Sequence, residues 1–84
     1  MKITFKLFAT LTDYLPAHAR TSNVVQLDVP ADASVSQIID PFGLPPKLVH
    51  LVLVNGVFVA PAQRLTRTLR EGDTLAIWPP IAGG

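Results

Sequence analysis

Two adjacent glycines, Gly83 and Gly84, stand behind Trp78-Pro79-Pro80-Ile81-Ala82 at the end of this sequence. Glycine carries no side chain, so another protein can close around the backbone there. The group offered at the tip is the α-carboxylate of Gly84, a weak electrophile that becomes an acyl donor once it carries a leaving group. Pro80 fixes its own φ and pushes Pro79 towards extended geometry, which predicts a stiff exit from the body. Six extended residues, 79–84, reach roughly 20 Å at about 3.3–3.6 Å each. Ile81 and Ala82 are small enough for a narrow channel. A frayed terminus is the plain alternative for any chain end. The aromatic and the two prolines ahead of the glycines make the segment more specific than a chance pair.

Little else in the sequence supports chemistry. There is no cysteine, which excludes disulfides, thiolate metal sites and a cysteine nucleophile. His18 and His50 lie far apart, without metal-ligand spacing, and read as surface or loop residues. No phosphate-binding loop or nucleophile elbow is present; Gly56 and Gly72 sit alone in turns. We therefore expect no bound metal or cofactor and no catalysis by this chain alone. The net charge of +1, from 7 basic and 6 acidic side chains, gives no electrostatic case for nucleic acid or an anionic membrane. Arg64, Arg67 and Arg70 recur every three residues and suggest a solvated basic stripe, or less readily a docking strip for an acidic partner. Charges interrupt the apolar residues of the first segment, which reads neither as a leader nor as a membrane span.

The elements that position the tail follow from periodicity. With 84 residues, 49% of them hydrophobic, the chain holds one small domain, residues 1–78, with residues 79–84 as an extended tail. Ile3, Phe5 and Leu7 alternate with Lys2, Thr4 and Lys6 in a first strand over 2–8. A short helix or turn over 10–15 ends at Pro16, and 17–23 reads as a polar loop. Val25, Leu27 and Val29 make a second strand stopped by Pro30. Ser34 and Gln37 form a capping box ahead of Val35, Ile38 and Ile39, and Pro41 and Gly43 keep that helix short. One further turn is expected over 47–49. Leu51-Val52-Leu53-Val54 is a continuous apolar run, read as a central strand buried on both faces. Asn55-Gly56 turns it into a hairpin with 57–60, whose closing Pro61 suggests a sheet edge. A helical turn over 64–69 points Leu65 and Leu69 inward, Arg70-Glu71-Gly72-Asp73 is a turn with structural carboxylates, and 74–78 is the last strand. Strand, strand, helix, strand, strand, strand is the order of an α+β, ubiquitin-like β-grasp fold: a mixed sheet of about five strands with one main helix across one face.

Strand parity adds a surface. If Leu7, Val57, Val59, Leu75 and Ile77 face the core, Phe8, Phe58 and Trp78 face outward, on a side expected to be polar. Together they would form an apolar docking patch at the root of the tail. The alternative is that loop residues such as Leu15 or Leu48 cover them.

Lys6-Leu7-Phe8-Ala9-Thr10-Leu11, the Leu51–Gly56 hairpin, Glu71-Gly72-Asp73 and the ending Trp78–Gly84 together resemble the MoaD/ThiS family of sulfur carriers, along nearly the whole chain. The likeness is greater to MoaD, the small subunit of molybdopterin synthase, because ThiS-like chains are shorter and lack the Leu-Phe-Ala segment. The resemblance implies that the Gly84 carboxylate is adenylated by an E1-like enzyme of the MoeB or ThiF type, using ATP and Mg²⁺ supplied at that partner. It is then converted to a thiocarboxylate. It implies a large synthase subunit of the MoaE type as sulfur acceptor, a cytoplasmic location, and docking through Phe8, Phe58 and Trp78. Asp40-Pro41-Phe42 interrupts a helix that is longer in family members, and the segments 16–23 and 44–49 are individual. Sulfur delivery to thiamine or another pathway, a ubiquitin-like modifier that joins Gly84 to a target lysine, and a plain binding module with an inert tail are the other readings.

Overall fold

A computed structural model describes residues 1–80. Its strands are β1 (Lys2–Leu7), β2 (Val24–Asp28), β3 (Leu51–Val54), β4 (Val57–Phe58) and β5 (Thr74–Trp78), with one α-helix, α1 (Val35–Ile39). Five 3-10 turns fill the connections: Ala9–Tyr14, Ala17–Ala19, Asp40–Phe42, Pro46–Leu48 and Pro61–Gln63. The strands form one sheet in the order β2-β1-β5-β3-β4. β1 and β5 run parallel, with Phe5 beside Leu75 and Leu7 beside Ile77; every other pair is antiparallel. This is the ubiquitin-like β-grasp order expected from the sequence.

The alternation of β1 explains the core. Ile3, Phe5 and Leu7 have no solvent exposure, nor do Leu75 and Ile77 of β5 and Val52 of β3. Val35, Ile38 and Ile39 of α1 pack into the same cluster, with Leu11, Leu15, Val59 and Leu69 closing its margins. Phe42 reaches in from the turn after α1 and meets Phe5 ring to ring at 4.5 Å.

Five residues of α-helix are too few to be stable alone, so α1 depends on its ends. The Ser34 amide donates to Gln37 Oε1 (2.9 Å), and the Gln37 amide donates to Ser34 Oγ (3.2 Å). The next two free amides, of Val35 and Ser36, donate to the carbonyls of Arg67 and Arg64, each at 2.9 Å. All the orphan donors of the first turn are thus satisfied, two by the expected capping box and two by the segment before β5. Gly43, at φ +67°, ends the run in the left-handed conformation that glycine adopts without penalty. Ser34→Ala should cost about 1–2 kcal/mol, since the hydroxyl is lost at a buried cap. The shift of the urea midpoint measures this, and Ser34→Thr should recover most of it.

Four expectations need correction. β3 is an interior strand as expected, between β5 and β4 with β5 in the middle of the sheet, but it is not buried on both faces. Only Val52 and Val54 are buried; Leu51 and Leu53 are half-exposed, because the helix and turns cover one face of the sheet alone. Leu65 is 77% exposed while Leu69 is buried. The 3-10 turn Pro61–Gln63 continues as a turn through 64–66, closed by the Arg67 amide on the Gln63 carbonyl (2.8 Å), and the chain then leaves it to bridge Thr68 to Ser34, so positions 65 and 69 share no face. Val57 is 66% exposed although it lies opposite the buried Val54, because β4 is a two-residue edge beyond the cover of α1. The segment 17–23 is not simply polar loop: its 3-10 turn buries Ala19.

The turn before β5 carries the structural carboxylates. Glu71 Oε2 accepts the amide of Lys2 (2.6 Å). Asp73 accepts the Arg70 amide (2.8 Å) and the Asn55 side-chain amide (2.9 Å), and Asn55 Oδ1 accepts the Thr74 amide (2.9 Å). Those two hydrogen bonds, led by the Arg70 amide, hold the Asp73 carboxyl below its ordinary pKa, with the positive charges of Arg67 and Arg70 adding to them. A carboxyl whose pKa is lower folded than unfolded stabilises the protein above about pH 4 and loses that contribution as pH falls through its folded value. Asp73→Asn should therefore lower the urea midpoint at about pH 7, and the gap from the parent should narrow towards about pH 3.

Candidate functional site

Because β5 is central, its end is held from both sides, Ile77 on one and Trp78 on the other. The Phe8 amide donates to the Ile77 carbonyl (3.1 Å), which extends the parallel ladder one step past β1. On the other side the amide of His50, just ahead of β3, donates to the Trp78 carbonyl (3.2 Å). Since Ile77 points into the core, Trp78 points to the open face, and Phe8 stacks on it. The two rings are 4.0 Å apart and within 5° of parallel, and both are half-exposed. Pro79 follows half-buried and Pro80 exposed. The remaining tail residues singled out in the sequence, Ile81, Ala82, Gly83 and Gly84, lie outside the described residues.

Phe58 is 53% exposed on the same open face, opposite Leu53. It does not join the stack: it lies on β4, two strands from Trp78, with β3 between. The bridging side chains are Leu51, opposite Trp78, and Leu53, opposite both Phe58 and Ala76. Sequence reasoning missed these two aliphatic contributors. Their parity was available, since Leu51 and Leu53 alternate with Val52 and Val54, but a continuous apolar run conceals which side is covered. Leu15 and Leu48, the residues that might have capped the aromatics, belong to the core cluster and its margin. The resulting surface is an apolar band: the Phe8–Trp78 stack at the end of β5, then Leu51 and Leu53, then Phe58 at the sheet edge.

The other side chains singled out in the sequence do not gather into a site among the described residues. Arg64 does not form a stripe with Arg67 and Arg70. Its guanidinium donates to the carbonyls of Val49 (3.1 Å), His50 (3.1 Å) and Val59 (3.3 Å), pinning the entry to β3 against the exit from β4. Burial lowers its pKa. His18 and His50 are both exposed. Among the described residues, no group of three or more His, Cys, Asp or Glu stands close enough to hold a metal ion. Nor is any helix among them long and apolar enough to cross a membrane.

A five-stranded mixed sheet with a parallel central pair, one short helix on its core side and the tail root on its central strand define a ubiquitin-like β-grasp protein. The chain belongs to the Mut7-C ubiquitin family, which it matches over residues 1–82. No curated protein matches it. Among solved structures it is similar to SAMP1 from Haloferax volcanii, at 29% identity over 100% of both chains with a TM-score of 0.70. The fold is also that of a putative molybdopterin converting factor subunit 1 from Pyrococcus furiosus, at 18% identity over 96% of this chain and 99% of that one, TM-score 0.68. It is shared as well with the complex of subunits 1 and 2 of the molybdopterin-converting factor from Helicobacter pylori 26695, at 15% identity over 100% of both chains, TM-score 0.62.

Proposed function

We propose that this protein is a sulfur carrier whose reacting group is the Gly84 carboxylate. The observation that supports it most is the half-exposed Phe8–Trp78 stack at the root of the segment that leads to Gly83 and Gly84. An apolar, aromatic surface of this kind binds a partner strongly. Here it would register the tail's exit against the partner's active site. In the first step the Gly84 carboxylate attacks the α-phosphorus of ATP and displaces pyrophosphate, with Mg²⁺ neutralising the phosphates at an E1-like partner. In the second, a hydrosulfide equivalent attacks the acyl carbon and AMP leaves, which yields the thiocarboxylate. Gly83 gives backbone clearance, Pro79 and Pro80 aim the tether, and Ile81 and Ala82 fit a narrow channel. Phe8, Phe58 and Trp78, with Leu51 and Leu53 between them, dock the partner. Holding the sulfur at the end of a positioned arm inside an acceptor enzyme then supplies proximity that free sulfide lacks. A large subunit of molybdopterin synthase is the acceptor we favour, because two fold relatives are molybdopterin-converting subunits and one is described in complex with subunit 2. The chain would act in the cytoplasm, and the absence of cysteine suits that reducing setting.

A second reading has its own support: the 29% identity to SAMP1, a small archaeal modifier protein, exceeds that to the molybdopterin subunits. In that reading the same acyl-adenylate is captured by the amine of a target lysine. One experiment separates them. The chain is incubated with an E1-like enzyme, ATP, Mg²⁺ and sulfide, and its intact mass is read. Oxygen-to-sulfur exchange at Gly84 supports the carrier; ATP-dependent covalent adducts on denaturing gels without that exchange support the modifier.

A further inference from the structure

A second surface lies at the opposite pole. β1 and β5 run parallel, so the end of the sheet that holds Lys2 and Asp28 is the one farthest from Trp78. There a groove of about 560 Å³ opens between β2 and α1. Its walls are apolar: Leu27, Val29, Ala33, Ile38, Pro41 and Phe42. Asp28 and Asp32 also line it, and no cation does.

The groove adjoins an edge strand with free backbone groups. Met1 and Val29 exchange both ladder bonds (2.7 and 2.9 Å), and the Leu7 amide donates to the Asn23 carbonyl (3.2 Å). In an antiparallel pair such bonded positions alternate. Leu27 and Val25 therefore face β1, and the amides and carbonyls of Gln26 and Asp28 face away from the sheet. β2 is the sheet's edge, and among the described residues no strand pairs with that side. The other edge, β4, is only two residues long.

We propose that the β2–α1 groove binds an extended apolar peptide segment of another protein, flanked by lysine or arginine, as an added strand on β2. Backbone groups of the segment pair with Gln26 and Asp28. Alternate side chains enter the apolar groove, since successive residues of a strand point to opposite sides. The flanking cations face Asp28 and Asp32. Because this pole is remote from Trp78, a protein held here leaves the tail free for another.

Amide chemical-shift titration of the full chain tests this, with Ac-Lys-Val-Ile-Val-Lys-NH2 as probe and Ac-Glu-Val-Ile-Val-Glu-NH2 as its charge-reversed control. The amides of Gln26, Asp28, Ala33, Ile38 and Phe42 should move, and the lysine peptide should bind about tenfold more tightly. The double variant Asp28→Lys, Asp32→Asn should reverse that preference. Asn is chosen at position 32 because the site has φ +66°, which Asn tolerates. Four outcomes overturn the proposal: no shift with either peptide at millimolar concentration, equal affinity for both, or shifts confined to the Phe8–Trp78 face. The fourth is peptide-independent, concentration-dependent shifts at Gln26 and Asp28, which would make the occupant a second copy of this chain.

Discussion

A chain that lacks Gly83 and Gly84 should form no thiocarboxylate and no lysine adduct, while its urea midpoint stays within about 0.5 kcal/mol of the parent. The reasoning is chemical before it is structural. Activation needs an acyl carbon at a reach set by the tether, and the truncated chain would present Ala82 instead, two residues short and bearing a side chain. Two residues of extended chain are roughly 7 Å, far beyond the misplacement that a proximity-dependent reaction tolerates. Stability should be almost unmoved because glycine has no side chain to bury, and among the described residues the buried cluster contains none beyond Ile77. The check is paired: intact mass after incubation with an E1-like enzyme, ATP and sulfide, and a urea titration of the same preparation. Sulfur exchange by the truncated chain equal to that of the parent would reject Gly84 as the reacting group, while full biological function of a truncated chain that takes up no sulfur and forms no adduct would reject the carrier and modifier readings together and select the plain binding module.

Phe5→Ala should have the opposite profile, destabilising by about 3–5 kcal/mol. The ring has no solvent exposure, sits on the strand next to the central one, and meets Phe42 at 4.5 Å. Its removal opens a cavity between β1 and the turn after α1, and a close-packed interior relaxes into such a void only in part. A domain of this length has a total stability of about 4–13 kcal/mol, so the loss is a large fraction of the whole. The melting temperature should fall by more than about 12 °C. Trp78→Ala provides the contrast. Its half-exposed ring contributes a stacked pair worth about 0.5–1.5 kcal/mol beyond its buried area, so the variant should stay folded. Its activation by the E1-like enzyme should fall about thirtyfold, the effect expected of an interface hot spot. A Trp78→Ala variant that is activated normally would remove the open face from the docking surface.

Much of the architecture was legible because it rests on local rules. Strict alternation over residues 2–7 states which side of β1 is buried whatever it packs against. Ser34 and Gln37 announce a helix start through a reciprocal hydrogen bond between near neighbours, and Asn55-Gly56 announces a turn because both residues accept positive φ, here +50° and +81°. The errors fall where a residue's surroundings come from distant sequence. A run such as 51–54 has no alternation to show that one side of β3 is uncovered. Leu65 appears inward only if one helix runs through 64–69; the turn closes at the Arg67 amide and the chain then leaves it, with the Arg67 and Arg64 carbonyls bonded to the amides that start α1. Arg64 looks like part of a surface stripe until the fold brings the carbonyls of Val49, His50 and Val59 around it.

For the candidate site the division is similar. The chemistry proposed for the tail rests on residue type: two glycines and two prolines keep their character in any fold. That Phe8 and Trp78 face away from the core also follows from parity within their own strands. Their contact does not. Seventy positions apart in the chain, they meet only because β1 and β5 pair in parallel, one step beyond the end of β1. The same pairing leaves Phe58 two strands away and assigns the intervening surface to Leu51 and Leu53. Sequence alone settles what each side chain is and which side of its strand it takes, since both are decided within a few bonds. Which side chains become neighbours was decided by strand order and register, which depend on how the whole apolar surface is buried at once.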